Sequence, residues 1–268
     1  MVTLAVITGA TGGLGKSYVY ECAKKGYNIV LSATKQERLE LLKAEVLTEY
    51  PDIKIWAKAC DLGDDKSREE FWDYIKQQGL KPNMLINNAG YILEGSFMGC
   101  SNEEVTKAIK INCVGTIDFT YKFLAQRDIS IRNHVIIVSS LASFYPLPQM
   151  AIYSSSKSML TRFSVALRRE LKGKNCFVTA VCPGSMATND DMKLSIKSQG
   201  IGGRLSLMPT ETVAKVSLKK VQKNKPKYIP GFFNKLMWLL SKFATETFIA
   251  SLLYKRWTKC EKKRGQYR

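Results

Sequence analysis

The chain has a single histidine, His134, among its 268 residues. A serine–histidine–acid triad or a histidine-rich metal centre would have to be built on it, and no metal site is expected. His134 is most simply an edge residue just before an apolar run. The seven cysteines (22, 60, 100, 113, 176, 182 and 260) contain no C-x-x-C and no paired spacing. That argues against a disulfide framework and for a reducing, cytoplasmic setting. No apolar run approaches the roughly 18–20 residues that a membrane span needs. The first eight residues carry no basic flank and lead into a glycine-rich turn, so they are expected to form a strand and not a leader. Acids are few beside bases, which leaves a formal charge of +18. From Lys215 to Arg268 there are fifteen Lys/Arg against two acids, so most of the excess lies in the last fifth of the chain. Such charge raises nucleic acid or a membrane surface as a partner. No aromatic–basic motif supports nucleic acid, and none is expected.

Short apolar runs alternate with amphipathic segments from the start. Strands are expected at Leu4–Thr8, Asn28–Ser32, Ile53–Lys58, Met84–Asn87, Val135–Ser139 and Cys176–Val181. Helices are expected at Gly15–Lys25, Lys35–Tyr50, Asp64–Gln78, Asn102–Gln126 and Gln149–Leu171. Crossovers of this length make a parallel sheet, so the fold expected is α/β, a doubly wound Rossmann fold. A single domain is expected, with residues 1–230 as its body and 231–268 as a basic helical extension packed on it. The polar stretch Ser185–Leu207, with Gly200, Gly202 and Gly203, is expected to be a long loop with a lid-like task.

Two patterns carry chemistry. The first strand ends in Thr8-Gly-Ala-Thr-Gly-Gly-Leu-Gly15, which opens the first helix. Glycines at such a turn admit a pyrophosphate to the backbone, and its charge rests on the helix N-terminus. The second pattern is Tyr153-Ser-Ser-Ser-Lys157, with Ser140 thirteen residues before the tyrosine. Tyrosine and lysine four apart share a helix face. A nearby ammonium favours the phenolate, and bringing a phenol from about 10 to neutrality corresponds to roughly 4 kcal/mol. Ser140 ends the run His134–Ser140, which is expected to be a buried strand, and so stands at the strand end where open α/β sheets bind ligands.

With these motifs in order, the chain resembles the short-chain dehydrogenase/reductase superfamily across nearly its whole length. Further matches are Cys60-Asp61-Leu62, Asn87-Asn88-Ala89-Gly90, Lys110-Ile-Asn112, Pro183-Gly184 and Thr188. The glycine spacing, T-G-x-x-x-G-x-G, is that family's. The resemblance implies that Tyr153 is the general acid/base and that Ser140 holds the substrate carbonyl. It implies that Lys157 lowers the tyrosine's pKa and binds the nicotinamide ribose, and that Asn112 keeps a water beside Lys157. Asn112 could instead be a buried asparagine bonding backbone in a kinked helix. The resemblance implies a cofactor site made by Gly9, Thr11, Gly12, Gly13, Leu14 and Gly15 at the pyrophosphate. Asp61 and Leu62 would meet the adenine, Asn88, Ala89 and Gly90 the adenosine ribose. Pro183, Gly184, Met186 and Thr188 would lie over the nicotinamide, with Met186 where the family often has valine or isoleucine.

An NAD-binding chain needs a carboxylate about 20 residues past the glycines. Here Ala33-Thr34-Lys35 offers none, and Glu37 is already in the next helix. Ser32, Thr34 and Lys35 could receive a 2′-phosphate, so NADP(H) is favoured and NAD(H) stays open. The expected partner is a small carbonyl or secondary alcohol, apolar in character: a hydroxysteroid, a 3-oxoacyl chain or a xenobiotic ketone. A catalytically weak nucleotide sensor is the alternative; the intact Asn112/Ser140/Tyr153/Lys157 set argues against it. The family makes a homodimer or homotetramer the expected assembly. Toward the C-terminus, apolar residues at 232, 233, 236, 237, 240, 243, 248, 249, 252 and 253 form lysine-edged helical stripes. They could cap the cleft, form a subunit interface or rest on an anionic membrane surface.

Overall fold

Strands β1 (Leu4–Thr8), β2 (Asn28–Ala33), β3 (Ile55–Ala59), β4 (Met84–Asn87), β5 (Asn133–Val138), β6 (Cys176–Val181) and β7 (Lys227–Tyr228) form one parallel sheet in the computed structural model. The structure describes residues 3–188, 193–194, 196–197 and 200–266. Strand order is β3-β2-β1-β4-β5-β6-β7. The order reverses between β1 and β4, and a crevice opens there at the carboxyl ends of the strands. Every residue of β1, β4 and β5 is buried, which explains the apolar runs Leu4–Ile7, Met84–Ile86 and Val135–Val138.

Helices α1 (Gly13–Ala23), α2 (Gln36–Glu49) and α8 (Thr210–Gln222) cover one face, where Ile7, Tyr18, Leu31, Leu39 and Leu218 share a core. Helices α3 (Asp65–Gln77), α5 (Thr116–Gln126) and α6 (Ala151–Glu170) cover the other, around Val6, Phe71, Trp72, Phe119 and Leu160. Local signals start several helices. Asp64 accepts from the Ser67 N–H at 2.6 Å, and Ser101 and Glu104 form a reciprocal capping box ahead of α4 (Asn102–Ile109). Gly26, with φ +70°, turns the chain after α1.

Three expectations change. The expected helix Asn102–Gln126 is continuous but contains a π turn, Lys110–Gly115, between α4 and α5. Strand β5 begins at Asn133, so His134 lies inside the sheet and stacks on Phe177 at 5.6 Å. Burial and the neighbouring Arg132 charge push its pKa down to about 4. The expected loop Ser185–Leu207 contains a helix, α7 (Gly200–Ser206), while 189–192, 195 and 198–199 lie outside the described residues.

Helices α9 (Phe232–Leu240) and α10 (Glu246–Gln266) complete the chain. The fully buried residue of α9 is Asn234, and not a member of the apolar stripe. Its amide donates to the Ser206 and Pro230 carbonyls at 3.0 and 2.8 Å, which ties α9 to α7.

Candidate active site

The glycine turn is held from both sides. Thr8 ends β1, and its hydroxyl accepts from the Asn88 and Ala89 N–H groups at 3.0 and 3.1 Å. The Asn88 amide donates back to the Thr8 and Gly9 carbonyls at 3.0 and 3.1 Å. The carboxyl ends of β1 and β4 are thus locked together at the crevice. Gly9 takes φ +64°, and a Cβ at Gly15 would stand 1.9 Å from the Gly9 carbonyl oxygen. Only glycine fits these positions. A Cβ at Gly13 would meet Thr188 at 2.8 Å, so the Pro183–Thr188 segment lies directly over the turn.

A cleft of about 410 Å³ runs over this floor. It gathers the residues expected at the cofactor, from Gly9 to Thr188, except Lys35. Ser32 and Thr34 line one end, and Ser140, Tyr153 and Lys157 the other. Lys35 is exposed and serves as the N-cap of α2, one residue outside the lining. The cleft fits a dinucleotide: backbone without side chains beneath it, the N-terminus of α1 aimed into it, and no carboxylate on the β2 side. Asp61 stands at the rim, where its carboxylate accepts from the Gly63 N–H at 2.8 Å.

Asn112 is fully buried in the π turn and does not line the cleft. Its carboxamide forms a reciprocal pair with the Tyr91 backbone, accepting from the N–H and donating to the carbonyl, both at 2.8 Å. It is therefore a buried asparagine bonding backbone. A Cβ on Gly90 would lie 3.2 Å from Lys157 Nζ and 3.3 Å from Asn112 Oδ1, so the bare Gly90 lets both side chains approach the chain.

Helix α6 presents Tyr153 and Lys157 to the cleft one turn apart. Ser139, the neighbour of Ser140, anchors this helix: its hydroxyl donates to the Lys157 carbonyl at 2.7 Å and pairs with Thr161 at 2.7 Å. Lys157 is buried, and its ammonium donates to the Val138 carbonyl at 3.0 Å. Burial pushes the Lys157 pKa down to about 8, with Cys113 and Cys182 acting in the opposite sense. The Tyr153 ring keeps part of its surface open, yet burial raises its pKa, and a hydrogen bond from Ser140 opposes that rise. The expected lowering of the phenol is absent here. The ammonium is spent on the Val138 carbonyl and sits beside the ring, 5.8 Å from its centre.

A second cavity, about 260 Å³, shares Ile92, Ser140, Tyr153 and Gly184 with the first. Leu141, Tyr145, Leu147, Phe233 and Met237 make it largely apolar, with Glu94 and Arg256 as charged members. The Tyr145 hydroxyl donates to the Met237 carbonyl and binds this wall to α9. Sequence reasoning missed Thr8 as the clamp of the turn, and Asn234 as the residue against which Gly184 packs.

Comparison with known proteins agrees with this geometry. The short chain dehydrogenase family profile matches residues 3–205. A very-long-chain 3-oxoacyl-CoA reductase of Neurospora crassa is 36% identical over 186 residues, covering 67% of this chain and 54% of that one. Human 17-beta-hydroxysteroid dehydrogenase type 3 is 30% identical over 190 residues, covering 69% and 60%. The chain spans little more than half the length of these relatives. Among solved structures, a 7beta-hydroxysteroid dehydrogenase superposes with TM-score 0.82 at 21% identity, covering 94% of this chain and 96% of that one. A short-chain dehydrogenase from Sphingobium yanoikuyae in complex with NADPH gives 0.77 at 22%, covering 90% and 93%. With its glycine turn, parallel sheet and Ser140–Tyr153–Lys157 set, the chain belongs to the short-chain dehydrogenase family.

Proposed function

We propose that this chain is an NADP(H)-dependent oxidoreductase acting on a carbonyl or secondary alcohol of an apolar substrate. One observation carries the reading: Ser140 and Tyr153 stand where the glycine-floored cleft meets the apolar cavity and line both. A nucleotide on one side and a carbonyl on the other would meet at these two hydroxyls. The cofactor, when bound, supplies or accepts the hydride. Ser140 donates a hydrogen bond to the substrate oxygen and fixes its position. Tyr153 gives that oxygen its proton in reduction and takes it back in oxidation. Lys157 stands beside the phenol, where its charge would oppose the rise that burial imposes. Asn112 holds the Tyr91 backbone and, through Gly90, the wall against which Lys157 rests.

The substrate class follows from the apolar cavity and from the relatives, which include 3-oxoacyl-CoA reductases and a hydroxysteroid dehydrogenase. Ser32, Thr34 and the adjoining Lys35 support a 2′-phosphate, and several neighbours in fold are NADPH complexes. The described cysteines all carry free thiols, which supports a cytoplasmic location. A homodimer or homotetramer is supported by Ile109, Val114, Tyr121 and Val165, exposed apolar residues along α4 to α6. The test follows nicotinamide absorbance with NADPH and a panel of steroid ketones, 3-oxoacyl thioesters and bulky xenobiotic ketones. Turnover of at least one class is expected, and inertness toward all of them would contradict the reading.

A further inference from the structure

Helices α7, α9 and α10 each wall the apolar cavity with one row of residues: Gly202 and Ser206, Phe233 and Met237, Leu253 and Arg256. The neighbouring rows of the same helices face solvent and are strongly apolar. Phe232 is 84% exposed, Phe243 just after α9 is 81%, Phe248 is 62% and Leu252 is 57%. Leu236, Leu239 and Leu240 on α9, and Ile201 and Leu205 on α7, are exposed as well. Apolar exposure on this scale, on three helices that share one cavity wall, marks an interaction surface.

Charge selects the partner. Exposed Lys235 lies one turn from Phe232, and exposed Lys242 one turn from Leu239. On α10, Phe248, Leu252 and Lys255 succeed one another at spacings of four and three, so the stripe passes from apolar to basic along one helix face. The segment from Lys215 onward carries fifteen bases against two acids. Two copies of this chain meeting through that face would bring like charges together. Rows of phenylalanine and leucine edged with lysine match a surface that is apolar below and anionic above.

We propose that α7, α9 and α10 form a peripheral membrane-docking face that seats on anionic lipid. Phe232, Phe243, Phe248 and Leu252 enter the headgroup–acyl boundary, and the lysines meet the lipid phosphates. The adjoining rows of the same helices wall the cavity, so docking places that cavity beside the acyl region. An apolar substrate then passes from lipid to Tyr153 without crossing bulk water. This delivery rests on the carbonyl chemistry proposed above; the docking itself does not.

The test is flotation of the full chain with phosphatidylcholine vesicles, plain or containing about a third phosphatidylserine. The chain is expected to float with the serine-containing vesicles and not with the plain ones, and to be partly released by salt. Phe232→Glu, Phe243→Glu and Phe248→Glu together should weaken partitioning by about tenfold or more. These residues are exposed and line no cavity, so the melting temperature and the turnover of a water-soluble ketone should stay at wild-type values. A chain left in the soluble fraction with both vesicles would overturn docking, even if the reductase is active. So would equal flotation with both vesicles, triple-variant flotation equal to wild type, or a dimer that the triple variant dissociates without any vesicle binding. Vesicle binding by a chain that turns over no ketone would uphold docking and fault only the proposed reaction.

Discussion

The Lys157 ammonium stands 5.8 Å from the centre of the Tyr153 ring, while its hydrogen bond goes to the Val138 carbonyl at 3.0 Å. The lysine is thus fixed by the end of β5 and stands beside the tyrosine without a direct bond to its hydroxyl. Burial disfavours that charge and favours the neutral phenol beside it.

This arrangement gives stability a pH dependence. The Lys157 pKa is about 8 in the folded chain against 10.5 for the free group. Between these values the unfolded chain binds more protons, so stability rises as pH rises through that window. Below about 8 both states are protonated, and the cost of the buried charge is constant. Denaturant midpoints measured from pH 8 to pH 10 should rise more in the wild type than in Lys157→Met. Equal slopes would show that the ammonium is not buried as described.

Asn112 bonds both backbone groups of Tyr91 from inside the π turn. Asn112→Ala removes both bonds in a fully buried setting and should destabilise the chain by about 2 kcal/mol. Chemical denaturation measures this directly. An unchanged midpoint would mean that the π turn does not depend on its asparagine.

The proposed preference for NADP(H) rests on the end of β2, where Ser32 and Thr34 line the cleft and Lys35 adjoins it. Quenching of tryptophan fluorescence should show NADPH bound about tenfold more tightly than NADH, the scale of one charge-assisted contact. Lys35→Glu should reverse the order. If the variant keeps the wild-type preference, the 2′-phosphate is not held by Lys35.

The sheet was legible because strands buried on both faces leave uninterrupted apolar runs. Leu4–Thr8, Met84–Asn87 and Cys176–Val181 fall where those runs predict. The start of β5 was hidden by two polar residues. Asn133 is drawn into the sheet by its register with Cys176 and by amide bonds to the Asp128 and Ile131 carbonyls. The π turn had no sequence mark, because a shift from i+4 to i+5 bonding leaves the residue pattern of a helix unchanged. Helix α7 reads as a loop from its glycines, yet Gly202 packs so closely on Arg256 that a Cβ would stand 2.3 Å from the guanidinium. Tertiary contact, and not propensity, sets that helix.

The candidate site was legible in a similar measure. Motif residues from Gly9 to Thr188 converge on one cleft, but Lys35 stops at its edge and Asn112 lies behind it. The apolar stripe after Phe232 predicted amphipathic helices without saying which side faces inward. A polar residue, Asn234, decides it by bonding Ser206 and Pro230, and this turns Phe232 and Leu236 outward.

The most direct test of the account is Tyr153→Phe, which removes one hydroxyl from a ring lining both cavities and keeps its packing. Turnover of the best ketone should fall by about a hundredfold or more, the scale of a lost general acid, while NADPH quenches tryptophan fluorescence as in the wild type. Turnover unchanged in the variant would contradict Tyr153 as the group that moves the proton.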